Sequence, residues 1–203
     1  MPGQKAGEAI RREQLLRAAF HVAAARGLEG LTIRAVAARA GLSHGLVHFH
    51  FRKKADLVAA LLEWLLETTG AFQAAAPAAR DATPADALVA LLAREMERLT
   101  ADRRRIHLFF DFWLLGTRER RIRERMCAEL ERYRVALRPM ANAVLRADPA
   151  RFPGVTADGL AAVVVAFVKG SAVQFVIDPS GFDMEAFAAA ASTLLAQPDM
   201  AVA

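Results

Sequence analysis

The sequence predicts an all-α chain of about nine helices, a three-helix helix-turn-helix unit near the N-terminus followed by longer helices. Every strongly periodic segment repeats its apolar residues at intervals of three and four, and no stretch alternates as a half-buried strand would. Two short helices are punctuated by Gly41, whereas the helices beyond Lys54 lengthen and their apolar stripes widen. The N-terminal unit is therefore placed at residues 1–55 and a second helical unit at 56–203. In 203 residues, 55% of them hydrophobic, there is enough apolar side chain for a proper core.

The first helix is expected from Glu8 to Arg26, with Leu16, Phe20 and Ala23 on one stripe and Gly27 ending it in a left-handed turn. Thr32 can N-cap a second helix that ends before Gly41, and Ser43 a third that runs to Phe51. Val36, Ala37, Ala40, Leu42, Val47 and Phe51 are spaced to form the small core between these two helices. A fourth helix carries Leu57, Val58, Leu61, Leu62, Leu65 and Leu66, and the alanine-rich stretch from Ala71 to Ala82 reads as a loop. Thr83, Pro84 and Asp86 make a helix start ahead of Leu88, Leu91, Leu92 and Leu99. Asp102 opens the next helix, whose apolar stripe is expected at Ile106, Phe109, Phe110, Trp113 and Leu114. A long helix follows with Ile122, Met126, Leu130, Tyr133, Leu137, Met140 and Val144 inward, a kink at Pro139, and Glu119 paired with Arg123 on its solvated face.

The last two helices differ in kind. Leu160 to Ile177 is apolar nearly all round, yet it is read as too short, and too interrupted by Lys169, Gly170 and Ser171, for a membrane span. The final helix repeats Met184, Phe187, Ala191, Leu194 and Leu195. Together the pair reads as half of an intersubunit four-helix bundle, with Val164, Phe167, Val168, Ser171, Phe175, Phe187, Ala191, Leu194 and Leu195 as the dimer interface.

Charge is distributed unevenly. From Met1 to Leu57 there are ten lysines and arginines against four acids, although the whole chain nets only +5, so a basic head precedes a nearly neutral body. Such a head suits a polyanionic partner. The polar N-terminus lacks the apolar core of a signal peptide, which favours a cytoplasmic location without a membrane partner. A lone cysteine, Cys127, excludes an intrachain disulfide and reads as a small buried or half-buried apolar side chain.

Neither a glycine-rich phosphate loop, a nucleophile elbow nor paired carboxylates appear, so no enzyme and no cofactor are expected. His44 and His48 are spaced four apart as a metal pair would be, but the only close acid is Asp56 and no metal is expected. A helix entering the major groove must present short, polar or flat side chains near its N-terminus, and His44, Leu46 and Phe49 occupy that face. Gly45 weakens its helix by about 1 kcal/mol relative to alanine, which close approach to DNA or packing against the second helix would equally explain.

At LTIRAVAARAGLSHGLVHFHFRKKADL the sequence resembles the TetR family of transcriptional regulators. The pattern is carried by Thr32, Ala37, Ala40, Gly41, Ser43, Gly45, Phe49, His50, Phe51, Lys54 and Leu57, with His48 where the family usually has Tyr and Lys53 where it has Ser or Asn. The aromatic cluster from Leu108 to Trp113 and the segment GSAVQFVIDP are loosely similar to the BetI-like branch. The resemblance implies a DNA-facing set of Thr32, Arg34, Ser43, His44, Gly45, Leu46, His48, Phe49, His50 and Lys54. In it Arg34 reads a guanine, while Thr32, His48 and Lys54 hold phosphates.

It further implies a C-terminal ligand-binding and dimerisation domain, and a homodimer on a palindromic double-stranded operator. A small-molecule effector would sit among the middle helices, near Trp64, Met96, Phe109, Phe110, Trp113 and Met126, and move the fourth helix. A repressor is the expected mode; an activator of the same fold or a non-specific architectural DNA binder is the alternative.

Overall fold

The computed structural model describes residues 2–68 and 83–196. The Ala71–Ala82 loop and the side chain of Leu99 lie outside the described residues. Among those described there are nine helices and no strand: α1 Pro2–Arg26, α2 Ile33–Ala40, α3 His44–His50, α4 Lys54–Thr68, α5 Pro84–Thr100, α6 Arg103–Gly116, α7 Arg120–Ala147, α8 Ala157–Ile177 and α9 Met184–Ala196. The chain divides into two compact units, one of residues 1–71 and 107–126 and the other of residues 72–106 and 127–203.

In the first unit α1 begins at Pro2, earlier than the expected Glu8. From Gly7 through Arg12 the helix is exposed, so this stretch carries no apolar stripe to mark the start, while Pro2 fits a helix entry, where its missing N–H is no loss. Leu15, Leu16, Ala19 and Phe20 of α1 then pack with Leu57, Leu61, Leu62, Leu65 and Trp64 of α4 in one core. Trp64 Nε1 donates to Glu13 Oε2 at 2.7 Å, which satisfies the indole at the edge of that core.

The residues of α6 buried deepest in this core are Leu108 and Phe112, which the expected stripe leaves out; of that stripe Phe109 and Trp113 pack against the core and Ile106 is buried in the second unit. Phe109 and Trp113 are half-buried and Leu114 is 62% exposed. In the run LFFDFWLL almost every position is apolar, so periodicity does not say which face turns inward. Ile122 and Met126 of α7 complete the core. Arg123 donates to the carbonyls of Gly116 and Thr117 rather than to Glu119, and the ion pair four residues apart that does form joins Arg120 and Glu124 at 2.8 Å.

In the second unit α5 starts as expected, with a complete Thr83–Asp86 capping box and Pro84 in the first turn. Helices α5, α8 and α9 pack together. Tyr133, Leu137, Ala141 and Val144 of α7 are also buried, and α7 runs through Pro139. Cys127 is exposed, contrary to expectation, because it follows the inward Met126 and so points away from the α7 stripe. At 21 residues and a mean hydropathy of 2.1, α8 is long and apolar enough to cross a bilayer, which corrects the expectation that it is too short. It starts three residues before Leu160, at Ala157.

Phe112→Ala is expected to destabilise the protein by about 3–5 kcal/mol and Leu114→Ala by less than about 0.5 kcal/mol, read from urea unfolding midpoints. The sequence-expected stripe would give Leu114 the larger loss.

Candidate nucleic-acid interface

The head is built by local chemistry. Thr32 Oγ1 accepts the Ala35 N–H at 3.1 Å and starts α2. Gly41, at φ 66°, turns the chain in the left-handed region, where a side chain is disfavoured, and the Leu42 N–H bonds back to the Ala37 carbonyl at 3.0 Å. Ser43 Oγ then accepts the Leu46 N–H at 3.2 Å and starts α3. Val36, Ala37, Val47 and Phe51 are buried between the two helices, with Ala40 and Leu42 packed against them. Arg12 lies over the Phe51 ring and Gln14 Nε2 donates to the Ala40 carbonyl, so α1 braces the C-terminal ends of α2 and α3.

With that face committed to packing, α3 turns the other outward. His44, Gly45, His48 and Phe49 are exposed, Phe49 by 72%, while Leu46 and His50 are half-buried. The His44 and His48 rings stack at 6.3 Å, and Phe49 meets His50 edge to face at 5.4 Å. A Cβ on Gly45 would meet nothing within 4 Å, which removes packing against α2 as the reason for that glycine. Thr32, Arg34 and Ser43 are exposed on the same two-helix unit, and Arg52 and Lys53 extend its positive edge.

Lys54 is also exposed, and its Nζ donates to the Glu29 carbonyl at 2.6 Å. That bond ties the start of α4 to the turn before α2 across 25 residues of sequence. Sequence reasoning missed it, since nothing local marks a carbonyl as a partner.

The residues expected around an effector fall differently. Trp64 and Met126 are buried in the core of the first unit, and Phe109 and Trp113 pack against it. Phe110 is half-buried and meets the Trp113 ring at 6.5 Å, while Met96 is buried in the second unit. A cavity of about 320 Å³ in the first unit is lined instead by Arg26, Gly27, Leu28, Glu29, Asp111, Leu114, Leu115 and Arg118. Burial holds the Asp111 carboxyl above its ordinary pKa, with His107 pulling weakly the other way.

Two short helices locked by a glycine turn, with one buried seam and one polar, cationic outer face, define a helix-turn-helix DNA-binding protein. Comparison with known proteins agrees. Residues 15–61 match the family described as bacterial regulatory proteins, tetR family, and residues 84–197 match the BetI-type transcriptional repressor, C-terminal domain. The chain is 29% identical to the HTH-type transcriptional regulator TtgR of Pseudomonas putida over 178 residues, 85% of this chain and 83% of that one. It is 28% identical to the regulator BetI of Serratia proteamaculans over 68% of this chain and 74% of that one. A transcriptional regulator from Rhodococcus sp. Rha1 superposes with a TM-score of 0.71 at 28% identity, covering 91% of this chain and 93% of that one. The chain belongs to the TetR family of transcriptional regulators, with a BetI-type C-terminal domain. It is a DNA-binding, ligand-responsive regulator of that family.

Gly45→Ala is expected to stabilise the fold by up to about 1 kcal/mol, since the added methyl enters open space, while weakening duplex binding. Thermal unfolding and fluorescence anisotropy on one preparation would show the two effects moving in opposite directions.

Proposed function

We propose that the chain is a repressor that binds a palindromic operator as a homodimer and leaves it when a small molecule occupies the C-terminal domain. The observation that carries this is the outward face of α3, where His44, Gly45, His48 and Phe49 are exposed and take no part in the buried seam, beside the exposed Arg34 of α2. Arg34 reads a guanine edge, His44 and Phe49 meet neighbouring bases, and Thr32, Ser43 and His48 orient the head on phosphates. The division of labour is DNA reading by residues 1–55 and effector binding with dimerisation by 56–203. The protein acts by binding alone, in the cytoplasm.

For dimerisation the support lies in apolar side chains that one chain leaves uncovered. Val164, Val168, Ser171, Ala191 and Leu195 are buried within the chain, so the partner is met by Leu194, 66% exposed, with the half-buried Phe167, Phe175 and Phe187. Val163, 44% exposed on α8, joins that surface. In the two-fold dimer the recognition helices are set about 34–36 Å apart, or a multiple of it, to match successive major grooves. Effector binding among the middle helices shifts α4 and breaks that spacing. Distant relatives of the same fold were solved with small molecules, one with choline at 18% identity and the multidrug binding protein EbrR with imidazole at 27%.

Selection from random duplex DNA tests the proposal: an enriched inverted repeat supports it, and recovery without sequence preference points to an architectural binder. On the selected site Arg34→Ala is expected to lose about 1–3 kcal/mol and to relax preference at one base pair per half-site. Lys54→Ala is expected to weaken all duplexes alike. A salt slope lowered by about one would mean that Lys54 exchanges the Glu29 carbonyl for a phosphate, and an unchanged slope that it acts only as a tie.

A further inference from the structure

Inside the second unit, three helices bring six polar side chains together that no DNA-binding role uses. Glu95 of α5 is buried, and one of its carboxylate oxygens accepts two N–H groups of Arg98 at 2.6 and 3.1 Å. Tyr133 of α7 is buried, and burial raises its phenol pKa despite the nearby Arg98, so the ring stays neutral. Glu129, one turn earlier on α7, pairs with Arg132 at 3.1 Å. Lys169 of α8 places its Nζ 4.5 Å from the centre of the Tyr133 ring.

The two carboxylates are thus engaged by arginines, and among the described residues no carboxylate oxygen comes within ion-pairing distance of the Lys169 ammonium. The ring face offers it only the modest attraction of a cation–π contact. Burial is the largest influence on this amine and Arg98 the next; Glu129 and Glu95 oppose them without making up the difference, and its pKa falls to about 8. A half-buried cation whose neighbouring carboxylates are both committed to arginines can take a carboxylate brought by a ligand.

We infer that Lys169 receives the anionic group of the effector, which makes the effector a small carboxylic acid with an apolar body. This rests on the proposal that the C-terminal domain binds the effector. The Lys169 ammonium takes the carboxylate in place of lost water, Arg98 stays held by Glu95, and the Tyr133 ring flanks the head group. The tail lies against the apolar core of α5, α7 and α8. A strongly hydrated inorganic anion would pay its own desolvation without apolar contact in return, whereas a cationic ligand would add to the repulsion between Lys169 and Arg98.

Calorimetry without DNA, using octanoate, octanol and octylamine on the full chain, tests this. The parent is expected to prefer octanoate to the other two by at least about tenfold, and Lys169→Met to bind octanoate no better than octanol. Raising the pH from 7 to 9 deprotonates the lysine while octanoate stays charged, so affinity is expected to fall about tenfold in the parent and to stay level in Lys169→Arg, whose guanidinium keeps its charge. Octanol or octylamine matching octanoate in the parent, a carboxylate preference kept by Lys169→Met, or the same pH profile in Lys169→Arg would each overturn the inference. Duplex binding measured separately on the same samples reports on the proposed operator function, so its failure is read independently.

Discussion

The whole head depends on one small seam. Val36 and Ala37 on α2 meet Val47 and Phe51 just across the Gly41 turn, and all four are buried. The left-handed, capped turn and the buried seam together hold the two helices at their angle, and the angle decides which residues of α3 point outward. DNA reading is then a consequence of packing: every side chain the seam does not need is left for a partner. Gly45 shows this most clearly, since it carries a helix-weakening residue with empty space where its side chain would be.

Much of that head was legible because its determinants are local. Thr32 and Ser43 cap helices through hydrogen bonds to residues three positions away, as Thr83 does in the second unit, and Gly41 marks its own conformation. Features that depend on three-dimensional neighbours were not legible. The deepest anchors of α6, Leu108 and Phe112, were not legible because LFFDFW is apolar on nearly every side, so the rhythm does not single them out. The start of α1 was misread for the opposite reason, since exposed turns carry no apolar rhythm. The Lys54–Glu29 tie spans 25 residues and ends on a backbone carbonyl that any side chain type could have supplied.

The polar cluster of the second unit was equally hidden. Glu95, Arg98, Glu129 and Arg132 look in sequence like ordinary helix-surface pairs, and Lys169 like an interruption of an apolar run. Only the meeting of α5, α7 and α8 shows that one member of this group has, among the described residues, no carboxylate within ion-pairing distance. Buried charge is expensive to retain, and replacing such groups by apolar residues is often neutral or stabilising. A regulator that keeps one gains a means of telling ligands apart by charge.

The central claim is that the outer face of the two-helix head is the surface that meets DNA. Hydrogen exchange followed by mass spectrometry, with and without a mixed-sequence duplex at low salt, tests it most directly, because phosphate attraction alone suffices for binding under those conditions. The account predicts slowed exchange concentrated in residues 32–54, with the α8 and α9 peptides unchanged. Protection confined to the C-terminal helices, or none anywhere while the duplex is bound, would contradict it.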